Sequence, residues 1–332
     1  MNNKNMEVRV QDYKKRAAIS VIERYGIVIL LLLISILFGI FNPRFLTLQN
    51  FSNISLQMVP IGLLALGAMF VIITGGLDLT AGIGVSFFAV VLERLWNVTN
   101  NITYSVLAAF AALFIVGLIN GLLISKAKFN SIIVTLIMLT VVSGVLNIVF
   151  NLSNASNKID TPLFPFIARF KLLGIPFSFL LMLFFYIICY FVLNYTRFGI
   201  YIKAIGNNPE GARISGLNIY NYIFYTYIIA AFFTGLSSLV LTARVSYVNP
   251  NLGGITILLD ALAAIIIGGV AIGGGRGTIQ GVLIGTISIA IINNMVNMLE
   301  INASWDDFFK GMVIVIMMSI NRVADLLEDR RV

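Results

Sequence analysis

The amino-acid sequence predicts an all-α, polytopic membrane protein, with about ten transmembrane helices and one short helix in an aqueous loop. Three observations carry that prediction. Of its 332 residues, 59% are hydrophobic and 11% charged, with a mean hydropathy of +0.97; a soluble domain carries about 25% charged residues. The apolar residues gather in runs near the roughly 20 residues a helix needs to cross a bilayer. One polar stretch between two such runs, Arg197 to Asn218, carries its own start and stop signals.

In chain order, the predicted spans are 25–42, 55–75, 80–94, 103–125, 130–151, 174–195, 219–242, 257–272, 278–299 and 307–321. The third and eighth are short and flanked by glycine. Residues 1–24 hold Lys4, Arg9, Lys14, Lys15, Arg16 and Arg24 with no small-residue cleavage site, so they read as a retained basic tail. Residues 322–332 form a second tail after the membrane domain, 25–321. Alternate loops differ in charge. Lys126, Lys128, the Arg197–Arg213 loop, Arg276, Arg322, Arg330 and Arg331 fall on one side with the basic tail. Arg44, Arg94, the Lys158–Lys171 loop and Arg244 fall on the other, with Glu300, Asp306 and Asp307. The side richer in Lys and Arg is expected to be cytoplasmic, which puts both termini inside a cell membrane. The formal charge of +8 needs no nucleic-acid partner on this reading.

Within Arg197–Asn218, Asn208 has the chemistry of an N-cap and Pro209 suits the first helical position. Glu210 then favours the positive end of the helix dipole, and Gly216 supplies a left-handed stop. About two turns remain, on the order of 10 Å, far too short to cross a bilayer.

Other segments carry polar groups at membrane depth. Thr74-Gly75-Gly76-Leu77-Asp78-Leu79-Thr80-Ala81-Gly82 breaks the pattern between the second and third spans. Glycines there permit a sharp reversal and close backbone approach. Asp78 either caps the third span or meets a polar solute, and its position favours the cap. Asn120, Thr135, Asn293 and Asn294 lie inside apolar runs, where an amide or hydroxyl bonds either another helix or a solute. Gly268 and Gly269 end the eighth span as Gly75 and Gly76 end the second. The Gly273-Gly274-Gly275-Arg276-Gly277-Thr278 turn lacks the Lys-Ser/Thr ending of a phosphate loop, so no nucleotide site is expected. The sequence has no histidine and a single cysteine, Cys189. That removes histidine bases and the usual zinc sites, and neither a metal nor a cofactor is expected. The long outer loop, 151–174, offers either an ordinary connection or a docking face for an external protein.

Taken in order, TGGLDLTAG (74–82), INGLLISK (119–126), IIVTL (132–136), TRFGIYIKAIGNNPEGARISGLN (196–218), LDALAAIIIGGVAIGGGRG (259–277) and NNMVNML (293–299) span most of the chain. In this order the sequence resembles the permease subunits of ribose-type sugar ATP-binding-cassette importers. The resemblance implies a transport subunit, not an enzyme. It pairs with a second permease copy, an ABC ATPase subunit and an extracytoplasmic sugar-binding protein, and moves a small-molecule sugar. It also implies that the short cytoplasmic helix is a coupling helix, seated in a groove of the ATPase through Asn208, Pro209, Glu210, Ala212, Arg213 and Gly216. Two positions depart from the family pattern: Ser143 precedes Gly144 where an arginine is frequent, and Gly211 replaces a usual alanine. An ion-coupled carrier, a membrane enzyme or scaffold, and a related permease for nucleosides, furanosyl signalling molecules or branched-chain amino acids are the rival readings.

Overall fold

The computed structural model describes residues 31–151, 158–299, 308 and 311–312. The chain divides into two compact units, residues 51–290 and residues 1–50 with 291–332.

The elements are almost all helical. An apolar helix α1, Leu31–Phe41, is followed by a 3-10 turn, Pro43–Leu46. Helices α2 Leu48–Ile73, α3 Thr80–Thr99, α4 Ile102–Ser125 and α5 Ser131–Asn151 come next. After the outer loop come α6 Leu163–Arg169, a two-stranded hairpin (β1 Lys171–Leu172 with β2 Ile175–Pro176) and α7 Phe177–Tyr195. Then follow α8 Arg197–Asn207, α9 Pro209–Ile214, α10 Ile219–Val245, α11 Ile255–Ile267 and α12 Ile279–Met298.

Among the described residues, seven helices are long and apolar enough to cross a membrane: α2, α3, α4, α5, α7, α10 and α12. Each falls on a predicted span. The first and eighth predicted spans coincide with the shorter apolar helices α1 and α11. The tenth lies outside the described residues except for Phe308, Gly311 and Met312, and both tails lie outside them entirely. The third span is longer than expected: α3 continues past Glu93 and Arg94 to Thr99. Glu93 is buried, and its carboxylate accepts from the Asn97 side chain one turn on, so the charges do not end the helix.

Within residues 51–290, α10 packs most extensively on α4 and also on α3, while α3 packs on α4 and α5. The most apolar stretch of α2 is 89% buried inside the protein, against 28% for α4, α5 and α7. So α2 is central. Exposed Ile133, Ile137, Ile187 and Phe191 give α5 and α7 apolar outer faces that suit lipid or another apolar surface. Helix contacts in the interior are fixed by hydroxyls: Ser237 donates to Pro60 O (2.7 Å), Ser238 to Val85 O (2.6 Å) and Tyr186 to Gly62 O (3.1 Å). In an apolar interior each such bond removes the desolvation penalty of a lone hydroxyl.

In the other unit, Asn50 and Asn294 exchange amide bonds in both directions, at 2.8 and 2.9 Å. Asn50 also donates to Phe45 O at 3.0 Å.

Candidate functional site

The polar loop between α7 and α10 is two helices, not one. Thr196 Oγ1 accepts from Gly199 N (3.4 Å) and starts α8, an eleven-residue helix absent from the sequence-based expectation. Its signal was present: a Thr cap followed by apolar Phe198, Ile202 and Ile205, of which Ile202 and Ile205 are buried. Arg197, Lys203 and Asn207 give the run a polar composition that masks this apolar spacing.

Helix α9 follows at once. Asn208 Oδ1 accepts from Gly211 N (2.9 Å), Pro209 stands at the first position, and Glu210 and Arg213 occupy the two ends. Its six residues make the roughly two turns expected. Its stop is a double hydrogen bond around a left-handed glycine: Gly216, at φ +83°, donates to Arg213 O, and Leu217 donates to Ala212 O. Ala212 is buried with Ile205 of α8 and Ile219 of α10, so α9 is fastened on two sides. Its other face is charged and exposed. Arg213 grips Glu210 through both carboxylate oxygens, at 2.5 and 3.1 Å. The hydrogen bond from that guanidinium holds the Glu210 carboxyl below the usual carboxylate range.

The polar residues at membrane depth separate into groups. Asp78, Asn120 and Thr135 converge on the start of α3. Asp78 Oδ1 accepts from Thr80 N (3.0 Å) and from Thr80 Oγ1, and Asn120 donates to Thr80 Oγ1 at 2.9 Å. Asp78 is thus engaged as a helix-start group. Thr135 donates to Ser131 O (2.8 Å) within its own helix. Leu77, between these residues, accepts from Tyr227 OH at 3.4 Å and donates to Ser131 Oγ at 3.3 Å. Asn120 Oδ1 is fully buried and has no hydrogen-bond partner among the described residues. Asn294 is engaged with Asn50 in the other unit, and Asn293 stands beside it in sequence.

The bend glycines act through geometry. Gly75 (φ +82°) and Gly269 (φ +74°) hold left-handed backbone that a side chain disfavours. Gly82 has no room for a side chain, since a Cβ there would overlap Gly254 O; Gly254 in turn donates to Gly82 O at 2.9 Å. A Cβ on Gly268 would lie 2.5 Å from the Gly281 backbone, and one on Gly76 would lie 2.8 Å from Tyr227 OH.

A bundle of long apolar helices with buried hydroxyl bonding, interrupted by a charged two-helix loop, has the form of a multi-spanning membrane protein. The chain belongs to the family described as branched-chain amino acid transport system / permease component, whose model matches residues 50–318. It is 33% identical to a ribose import permease protein of Bacillus subtilis (strain 168) over 298 residues, covering 90% of this chain and 91% of the relative. It is 29% identical to the ribose import permease protein of Escherichia coli (strain K12) over 301 residues (90% and 93%). It is 31% identical to the galactose/methyl galactoside import permease protein of the same strain over 325 residues (92% and 96%). No solved structure matches the chain. Family and relatives bear out the reading of a transport subunit of the ATP-binding-cassette importers, in which ATP hydrolysis belongs to a separate chain.

Proposed function

We propose that this chain is the permease subunit of an importer that carries a monosaccharide, a ribose-like pentose or a hexose, across the cell membrane by alternating access. The sugar is inferred from relatives that import ribose and galactose and align along nine tenths of the chain. Its partners on this reading are an ABC ATPase subunit, an extracytoplasmic sugar-binding protein and a second permease copy. The membrane domain crosses about ten times with both termini cytoplasmic, so α8 and α9 face the ATPase.

The observation that carries the coupling role is α9 itself. A helix of six residues supports little structure on its own. This one is capped at both ends, buried through Ala212, and presents Glu210 and Arg213 outward. That is the form of a rigid lever: fixed to the membrane domain on one face and charged on the other. Movement of an ATPase groove around it would tilt the helices to which Ala212 is fastened. Among the polar residues at membrane depth, we assign Asn120 to solute contact during that tilt, because its fully buried amide oxygen keeps an unused acceptor beside the Asp78–Thr80 group.

Reversing Arg213 to Glu tests the lever. Uptake of labelled ribose or galactose and stimulation of the partner ATPase are expected to be lost, with the membrane level of the permease unchanged. Because Arg213→Glu also breaks the pair with Glu210, the swapped variant E210R/R213E restores the pair with its charges exchanged. It too is expected to fail in uptake. Wild-type transport in either variant would remove Arg213 from the coupling contact. Parallel assays with labelled leucine decide between a sugar and the amino acid of the family's description.

A further inference from the structure

Three backbone segments from distant parts of the chain meet at one point beside α9. The last carbonyl of α2, Ile73 O, accepts from Gly275 N at 2.8 Å, tying the end of α2 to the turn between α11 and α12. Gly206, in the last turn of α8, lies against both partners. A Cβ there would overlap Ile73 O and Gly275 N, and would stand 3.0 Å from Gly275 Cα. The contact is closed from the other side as well: a Cβ on Gly274 would be 2.9 Å from Gly75 N and 3.1 Å from Gly206 Cα. A Cβ on Gly275 would overlap Asn207 Oδ1. All of these neighbours except the Asn207 side chain are backbone and cannot rotate away.

Conformation does not explain the glycine at 206. Its φ is not among the positive values, and within a helix alanine is the better former. What excludes a side chain is the approach of the other two backbones. Only Asn207 separates Gly206 from the cap of α9 at Asn208, and Ile205 is buried with Ala212 on the far side of that elbow. A displacement of α9 therefore has almost no chain in which to dissipate before it reaches Gly206, and close-packed backbone transmits strain instead of absorbing it.

We infer that Gly206 is the positioning residue through which the movement of α9 reaches α2 and the α11–α12 turn together. This rests on the coupling role proposed for α9. The test uses the whole importer, permease with its partner ATPase and external binding protein, in proteoliposomes with labelled ribose and galactose as probes. Three quantities are read: ATPase retained on the purified permease, basal ATP hydrolysis, and sugar accumulated per ATP consumed. Gly206→Ala is expected to keep the first two within about twofold and to lower the third at least tenfold. Asn207→Ala, which removes atoms from the junction and adds none, is expected to lower sugar per ATP about threefold with full assembly. Gly144→Ala, where a Cβ meets nothing within 4 Å, keeps the wild-type ratio.

A wild-type ratio in Gly206→Ala overturns the inference. So does a loss of uptake in Gly206→Ala matched by an equal loss of retained ATPase, combined with an unchanged ratio in Asn207→Ala. If the unmodified permease retains no ATPase, or takes up neither sugar, the importer reading itself fails, and it fails in the wild-type sample before any variant is compared.

Discussion

Helices α2 and α11 end in the same way and then diverge. In both, a left-handed glycine forms the stop. Gly75 donates to Ile72 O (2.9 Å) and Gly76 to Val71 O (3.1 Å); Gly269 donates to Ile266 O (2.9 Å) and Val270 to Ile265 O (3.2 Å). These are two copies of one six-residue stop motif. Beyond the stop the chain behaves differently. After α2 it reverses at once, and side chains complete the bend: Asp78 and Thr80 start α3, and Tyr227 OH reaches Leu77 O. After α11 it runs on through Gly273–Gly275 and is held by backbone, with Gly275 bonded to Ile73 O. An identical local motif thus leads into a bend completed by side chains in one place and into a glycine-rich run held by backbone in the other, and one backbone bond, Gly275 N to Ile73 O, joins the two. The consequence is mechanical. Side-chain fastenings yield by rotating, whereas backbone fastenings do not.

The largest expected effect separates those two fastenings. Gly268→Ala places a methyl against the Gly281 backbone, which cannot move without shifting α12. Gly76→Ala meets side chains first, Tyr227 OH at 2.8 Å and Val71 Cγ1 at 3.2 Å, with backbone no nearer than Val71 O at 3.5 Å. Overpacking of the first kind costs about 1–3 kcal/mol. Thermal unfolding in detergent is expected to show Gly268→Ala well below Gly76→Ala. Equal midpoints would mean that the backbone contact between α11 and α12 is looser than its geometry.

The next effect is confined to the α2 side. Asp78→Ala removes the acceptor for Thr80 N, and loss of such a helix-start group costs about 0.5–2 kcal/mol. Asp78→Asn keeps an acceptor oxygen and is expected to recover most of that stability, with the concentration dependence of sugar uptake unchanged. A shift in that dependence without a shift in unfolding would return Asp78 to the solute pathway.

How far these features were legible in sequence follows from their range. The caps of α9, the glycine stops and the apolar spans depend on residues within one or two turns of each other, and Asn208, Gly216, Gly75 and Gly269 carried them openly. Asp78 as a helix-start group was legible for the same reason. Helix α8 obeyed the same local rules but was hidden by its charged residues. Contacts over long separations left no local trace. Nothing near Gly206 in the chain announces Ile73 or Gly275, and nothing near Asn294 announces Asn50. A buried amide such as that of Asn294 must bond something, and sequence does not say whether a helix or a solute. The departure at Ser143-Gly144 has no partner in the structure that accounts for it.

The smallest expected difference tests whether the two stops are one motif. Gly75→Ala and Gly269→Ala each force a side chain into left-handed backbone, at φ +82° and +74°. Neither adds a close contact: a Cβ at Gly75 comes no nearer than 3.7 Å to Gly273 O, and one at Gly269 meets nothing within 4 Å. The cost at each is therefore conformational alone, about 1–2 kcal/mol, and the two variants are expected to lose similar stability. Their effects on transport should nevertheless differ. Gly75 lies two residues from Ile73, the acceptor of the Gly275 bond, and beside Gly274, whereas Gly269 stands outside that junction. Matched unfolding with sugar uptake per ATP reduced only in Gly75→Ala would show that one stop carries movement while the other merely ends a helix. Matched unfolding with matched uptake would leave both as simple stops and confine the junction to Gly206 and Gly275.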